Sequence, residues 1–156
     1  WESNAILQYL AAELQADADP NDRLPLWPED HRTQADILRW LQWETGRWNP
    51  RIGELLRHQV YFPFWGYPGD PAAIEKNLPP LGKALNLLDQ QLQQTPFLCG
   101  QALTIADLSV AAPLLFVDDL AITLSDFPAL QRWFAALSET RWWQQTQQSL
   151  QQFRNP

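Results

Sequence analysis

The sequence predicts an all-α domain, and three observations carry that prediction. Apolar positions are filled by 25 Leu and 17 Ala against 3 Val, a bias toward side chains that lose little freedom in a helix and away from the β-branched residues that suit strands. No window alternates apolar and polar residues for long enough between turn signals to demand a strand. Along most of the chain, apolar residues recur instead at steps of three and four. A length of 156 residues suits one domain and is short for two.

The elements follow in order. Ser3 is an N-cap type of residue ahead of Ala5, Ile6, Tyr9, Leu10 and Leu14, which predicts a first helix over about 4–15. The run Asp17-Ala18-Asp19-Pro20-Asn21-Asp22, with Pro25 and Pro28, reads as a linker over 17–28 between a short unit (1–16) and a larger one (29–156). From Glu29 to Arg47, Ile37, Leu38, Trp40, Leu41 and Trp43 outline a long amphipathic helix with two acids near its positive end, and Pro50 predicts a kink or break after it. A shorter helix over 52–60 then meets a loop over 61–71, where five aromatic residues alternate with breakers. Ile74, Leu78, Leu81, Leu85, Leu88 and Leu92 form one stripe; Pro79 and Pro80 interrupt it and predict either a kink near Leu78 or a fresh helix start there.

The most specific local signal is Thr104-Ile105-Ala106-Asp107, a capping box with Asp in place of Glu, flanked by Leu103 and Leu108 as a hydrophobic staple. The helix it opens is apolar on nearly every side and predicts a buried central helix, kinked at Pro113, where the Ser109 carbonyl loses its partner. Asp126 is expected to open another helix carrying Leu130, Trp133, Phe134 and Leu137, and a last, glutamine-rich helix carries Trp142, Trp143 and Leu150.

Composition excludes several classes of function. The balance of 18 acidic against 11 basic side chains, a net charge of −7, disfavours nucleic acid and anionic membrane as partners. The apolar runs fall short of a bilayer span and no signal peptide is visible, so the expectation is no membrane segment and a cytoplasmic location. Cys99 is alone and reads as a packing residue; His31 and His58 lack a second ligand at metal spacing, so no metal is expected; Asp118-Asp119 reads as a solvated helix end. The chain holds no methionine and begins at Trp1, directly before a helical turn, which reads as a piece of a longer or processed chain.

Two segments resemble a known family. Glu2-Ser3-Asn4-Ala5-Ile6, followed by Tyr9-Leu10, is similar to the stretch that ends the thioredoxin-like domain of glutathione S-transferases, and Gly100 to Asp107 resembles the capping-box segment of that family's helical domain. Their order, their separation of about a hundred residues, the linker and the Trp-rich helix all agree, and the likeness is greatest to bacterial members. The resemblance implies an all-α, glutathione S-transferase C-terminal-like helical bundle, preceded by the last helix of a truncated thioredoxin-like domain. It implies that the intact protein is an enzyme that adds glutathione thiolate to a hydrophobic electrophile and that it pairs as a homodimer built around the first long helix. The family's thiol-activating residue lies in the strand-rich half, so no catalytic residue is assigned and this chain alone is expected to be inactive. A second implied reading is a non-catalytic helical domain of the same fold that binds other proteins.

Taken alone, Ser3 is a plain N-cap and Glu2 a solvated charge. Within the resemblance both bind the co-substrate glutathione: Ser3 offers its hydroxyl and free helix amides to the γ-glutamyl carboxylate, and Glu2 meets the ammonium. Trp43, Trp48, Asn49, Tyr61 and Phe64 are the implied electrophile-binding residues, although each of these residues also suits a core or an interface. The 61–67 cluster as a group needs a cover: its own core, a second subunit or a hydrophobic substrate.

Overall fold

Helices and turns make up the computed structural model, which describes residues 1–17 and 25–154; no strand occurs among the described residues, and one isolated bridge pairs Phe97 with Gly100. Most of the linker expected at 17–28 falls on residues 18–24, outside the described residues.

Helix α1 spans Ser3–Asp17. Ser3 is its first helical residue rather than its cap: the Ile6 amide donates to the Glu2 carbonyl at 3.1 Å, which puts Glu2 in the cap position. Helix α2 spans His31–Trp43 and is capped by Asp30, whose carboxylate accepts from the Thr33 amide at 2.8 Å and the Thr33 hydroxyl at 2.7 Å. Those donors, the hydroxyl foremost, hold the Asp30 carboxyl below its ordinary range.

No break follows Pro50. After α2 the chain makes a π turn over Glu44–Trp48, closed by the Asn49 amide on the Glu44 carbonyl, and continues as α3, Asn49–Leu56. The device repeats: a π turn over Arg57–Tyr61 is closed by the Phe62 amide on the Arg57 carbonyl, and α4, Phe62–Phe64, follows with Pro63 in its first turn. The start of the expected 61–71 loop is therefore helical. A proline lacks the N–H and crowds the carbonyl four residues back, and a widened turn just ahead of it relieves both problems. The same device explains the buried stripe Ile37, Leu41, Glu44, Trp48, Ile52, Leu56 and Val60. From Glu44 onward every step is four residues, which in a helix of about 3.6 residues per turn would wind away from the core. Each π turn takes up one surplus residue and keeps the stripe facing inward.

Helix α5, Pro71–Gln94, is capped by Asp70, which accepts the Ala72 amide at 2.9 Å. It runs through Pro79 and Pro80 as one helix with no second start at Leu78. Its stripe is buried only beyond the prolines, at Leu81, Leu85, Leu88 and Leu92, whereas Leu78 is exposed. Helix α6, Ile105–Ala111, is the central buried helix, and at Ala112 it tightens into a 3-10 turn, Ala112–Asp119, with Pro113 in its first turn; the backbone leaves helical geometry at Phe116 (φ −108°, ψ 16°), three residues beyond the position expected for the kink. Helix α7 spans Pro128–Ser138 rather than starting at Asp126, which sits in a short 3-10 turn, Leu124–Asp126. The cap comes from α5 instead: Asp89 accepts the amides of Ala129 at 2.8 Å and Leu130 at 3.0 Å. Helix α8, Arg141–Arg154, closes the chain with Trp143 buried. Asp119, expected in solvent, pairs with Arg154 through two bonds of 2.9 and 3.1 Å.

The core lies where α5 packs on α3 and α7, and where α6 packs on α2 with α1 across it. Asp107 is fully buried at the junction. Its carboxylate accepts from the Leu98 amide (2.9 Å), the Thr104 amide (2.9 Å), the Thr104 hydroxyl (3.0 Å) and the Trp133 indole (2.9 Å). Burial pushes its carboxyl above the usual range against the pull of these donors. The capping box thus also ties the 97–100 turn and α7 to α6.

Candidate functional site

A single side chain, Asn4, fixes the start of α1 on the rest of the molecule. Its amide nitrogen donates to Glu44 at 2.9 Å, the Thr45 hydroxyl at 3.1 Å and the Leu41 carbonyl at 3.3 Å, and its oxygen accepts from the Ser109 hydroxyl at 2.7 Å. One residue earlier, Ser3 begins the helix, and the first amides of α1 have no partner within it. Glu2 lies at φ 68°, the one non-glycine residue in the left-handed region among the described residues. Such strain costs on the order of 1–3 kcal/mol and marks places where the chain is held for a purpose. Glu2 and Ser3 are exposed.

Thr45, held by Asn4, is also the first residue of a groove of about 410 Å³ that continues along α3 past Asn49, Gly53 and Arg57 to Tyr61. At its far end stands a group of aromatic rings. Tyr61 meets Phe116 edge-on at 6.1 Å and Trp65 at 6.1 Å, and Phe64 stacks on Phe153 of α8 at 5.7 Å. Tyr61, Phe64, Trp65, Tyr67 and Phe153 are all exposed. Asn49 and Tyr61 both line the groove, and Phe64 follows three residues beyond Tyr61 in the aromatic group, whereas Glu2 and Ser3 are not among the groove's lining residues.

Two of the expected pocket residues stand elsewhere. Trp48 is fully buried and donates its indole N–H to the Val110 carbonyl at 3.0 Å, so it is a core residue; its four-residue step from Glu44 places it on the inward stripe. Trp43 stacks on Trp48 at 6.0 Å and lines a different cleft, of about 480 Å³, with Arg47, Arg51, Lys83 and Leu87. Asn4, Phe116 and Phe153 are residues that the sequence reading missed. Asn4 lay inside the motif that was singled out, whereas Phe116 and Phe153 come from distant segments.

The arrangement offers helix amides and a carboxylate at one end and aromatic faces at the other, which suits a ligand with an ionic head and an apolar body. Among the described residues no group of His, Cys, Asp and Glu could hold a metal ion. Cys99, half-buried, has its thiol pushed up to about 12, chiefly by burial against a pull from the Thr104 hydroxyl, so it is no nucleophile at neutral pH.

A helical domain with an added helix docked on it through Asn4 defines the class of fold, and comparison with known proteins names the family. Residues 55–140 match the family model for the glutathione S-transferase C-terminal domain, and the chain belongs to that family. It is 31% identical over 154 residues to glutathione S-transferase D7 of Drosophila melanogaster, covering 97% of this chain and 63% of that protein. It is 27% identical over 139 residues to glutathione S-transferase GstB of Escherichia coli, covering 89% and 62%. The structure of glutathione transferase F2 from Populus trichocarpa superposes with a TM-score of 0.82 at 25% identity, over 96% of this chain and 70% of that one. These relatives come from an insect, a bacterium and a plant. The chain spans less than two thirds of the length of the two curated relatives.

Proposed function

We propose that the chain is the helical part of a glutathione transferase, joined through α1 to a thioredoxin-like unit, and that the intact protein adds glutathione thiolate to a hydrophobic electrophile. The observation that carries the reading is the docking of α1, through Asn4, on Thr45 at one end of a groove that runs to Tyr61; the exposed Glu2-Ser3 start of α1 directly precedes Asn4 in sequence. The anionic γ-glutamyl carboxylate of glutathione suits the free amides of a helix start, and Glu2 supplies the counter-charge for its ammonium. Apolar rings at the far end suit the electrophile. This chain contributes binding and positioning; thiol activation falls to the partner unit, and no metal takes part. The relatives named above carry glutathione in their names, and that supports the choice of co-substrate.

The exposed face of α1, with Ile6, Tyr9, Leu10 and Leu14, is apolar and supports contact with the rest of a thioredoxin-like unit. The reading includes a homodimer built around α2 and a cytoplasmic setting; no described helix is long and apolar enough to cross a membrane. Retention of the intact polypeptide on immobilised glutathione tests the proposal. Ser3→Ala is expected to weaken retention about tenfold, the equivalent of one charge-assisted hydrogen bond. An intact protein that ignores glutathione sinks the enzyme reading and favours a helical module that binds other proteins.

A further inference from the structure

His58 lies in the second π turn with its side chain only 10% exposed, between Glu54 of the groove wall and the loop that precedes α5. Nδ1 accepts the backbone N–H of Asp70, twelve residues on, at 3.1 Å. That donor fixes the tautomer: Nδ1 carries no hydrogen, so the ring proton sits on Nε2, which faces Glu54 Oε1 at 3.3 Å. The other oxygen of Glu54 is held by Arg57 at 2.9 Å. The ring edge meets Phe62 at 5.2 Å, and Phe62 in turn meets Tyr67 edge-on at 6.5 Å. The same loop approaches a second time at Gly69, where a Cβ would run into the His58 carbonyl oxygen. The segment 65–70, which carries Trp65 and Tyr67, is therefore pinned at its start by the Trp65, Gly66 and Tyr67 amides on α4 and the preceding turn, and at its end by one imidazole nitrogen.

We infer that His58 is a positioning residue for the aromatic surface: its neutral, Nε2-protonated ring holds the 65–70 loop, and with it Trp65 and Tyr67, against Tyr61 and Phe62. Protonation of Nδ1 sets one donor against another and expels the Asp70 amide. The ring itself stays, because its Nε2 contact becomes an ion pair with Glu54. The charged groups that face His58 are Glu54 and Arg57 on its own helix and Asp70 in the loop. Among the described residues, Glu75 and Lys76 of α5 and Asp118 and Asp119 beyond α6 make no hydrogen bond or ion pair with it. The consequence for ligands rests on the reading of the aromatic surface as the electrophile-binding face; the consequence for the loop does not.

Two variants and two readouts test it. His58→Asn places a side-chain oxygen where Nδ1 stands and keeps the acceptor, whereas His58→Gln reaches the Nε2 position and loses it. Amide exchange at Asp70 is expected to lose about tenfold in protection, roughly one hydrogen bond, in His58→Gln and to remain near wild type in His58→Asn. Binding of anilinonaphthalene sulfonate is expected to weaken several-fold wherever the loop is released. Should His58→Gln fail to fold, Gly69→Ala lifts the loop from the other side with the imidazole intact and must give the same loss of protection. Protection that is unchanged in His58→Gln overturns the inference. Exchange that responds while probe binding does not overturns the positioning of the aromatic surface. A wild-type chain that binds no probe removes the reading of that surface, and exchange alone then decides the loop.

Discussion

Replacing Asp107 by alanine is expected to cost about 3–5 kcal/mol, because the loss reaches three elements at once. Three buried N–H donors, those of Leu98, Thr104 and the Trp133 indole, lose their acceptor. Each orphaned donor costs about 1–3 kcal/mol, and relief from burying a carboxylate offsets part of the sum. Asp107→Asn separates hydrogen bonding from volume. Its amide oxygen serves Leu98 and Trp133, its NH₂ then faces the Thr104 amide, and one donor is left unpaired, for a loss of about 2 kcal/mol. Thr104→Val removes only the hydroxyl donor and is expected to cost about 1 kcal/mol. Urea unfolding followed by far-ultraviolet circular dichroism measures all three, and for a chain of this size the alanine variant should melt roughly 6–20 °C lower. A loss under about 1 kcal/mol for alanine, or no loss for asparagine beside a large one for alanine, refutes the reasoning that the four bonds, rather than the filled space, hold the junction.

Asn4→Ala is expected to cost about 1–2 kcal/mol and to raise amide exchange throughout α1 while leaving α5 protected; uniform exchange across both helices would show that α1 is not docked through Asn4. Tyr61→Ala, which removes ring contacts with Phe116 and Trp65, should leave stability within about 1 kcal/mol and weaken a hydrophobic ligand roughly three- to tenfold in a fluorescence titration. Trp48→Ala, in contrast, should cost about 3–5 kcal/mol in denaturant unfolding, since it empties a fully buried site. With its thiol at about 12, Cys99 should react with iodoacetamide at about pH 8 on the order of a thousandfold more slowly in the native chain than after unfolding, and a ratio under tenfold would contradict its burial.

The sequence made the helices legible wherever their signals are local. Thr104 and Asp107 announce the start of α6 because a capping box needs only four consecutive residues, and the Leu81 to Leu92 stripe announces the buried half of α5. Asp70 and Asp30 cap their own helices in the ordinary way. The start of α7 was misread at Asp126 because its cap is Asp89, some forty residues upstream, and no local rule sees such an acceptor. The two prolines that predicted a break gave π turns instead, since a proline shows only that a regular bond is lost and not how the chain compensates. Of the expected site residues, Asn49 and Tyr61 line one groove, whereas Trp43 and Trp48 were grouped with them by residue type. Their spacing from Glu44 was the better guide for Trp48.

The paired π turns also bear on how the length of this chain can change. Each holds one residue more than a regular helix would need to span the same distance, and each stands directly before a proline. A deletion at Gly46, which has open space around it, would therefore leave the faces on either side aligned, where the same deletion elsewhere in the helix would turn everything downstream by about 100°. The shortened helix would, however, close its ladder onto Pro50 and restore the clash that the wider turn removes. Residue number and proline are thus coupled at both places: a sequence of this fold loses the extra residue without harm only where it has also lost the proline.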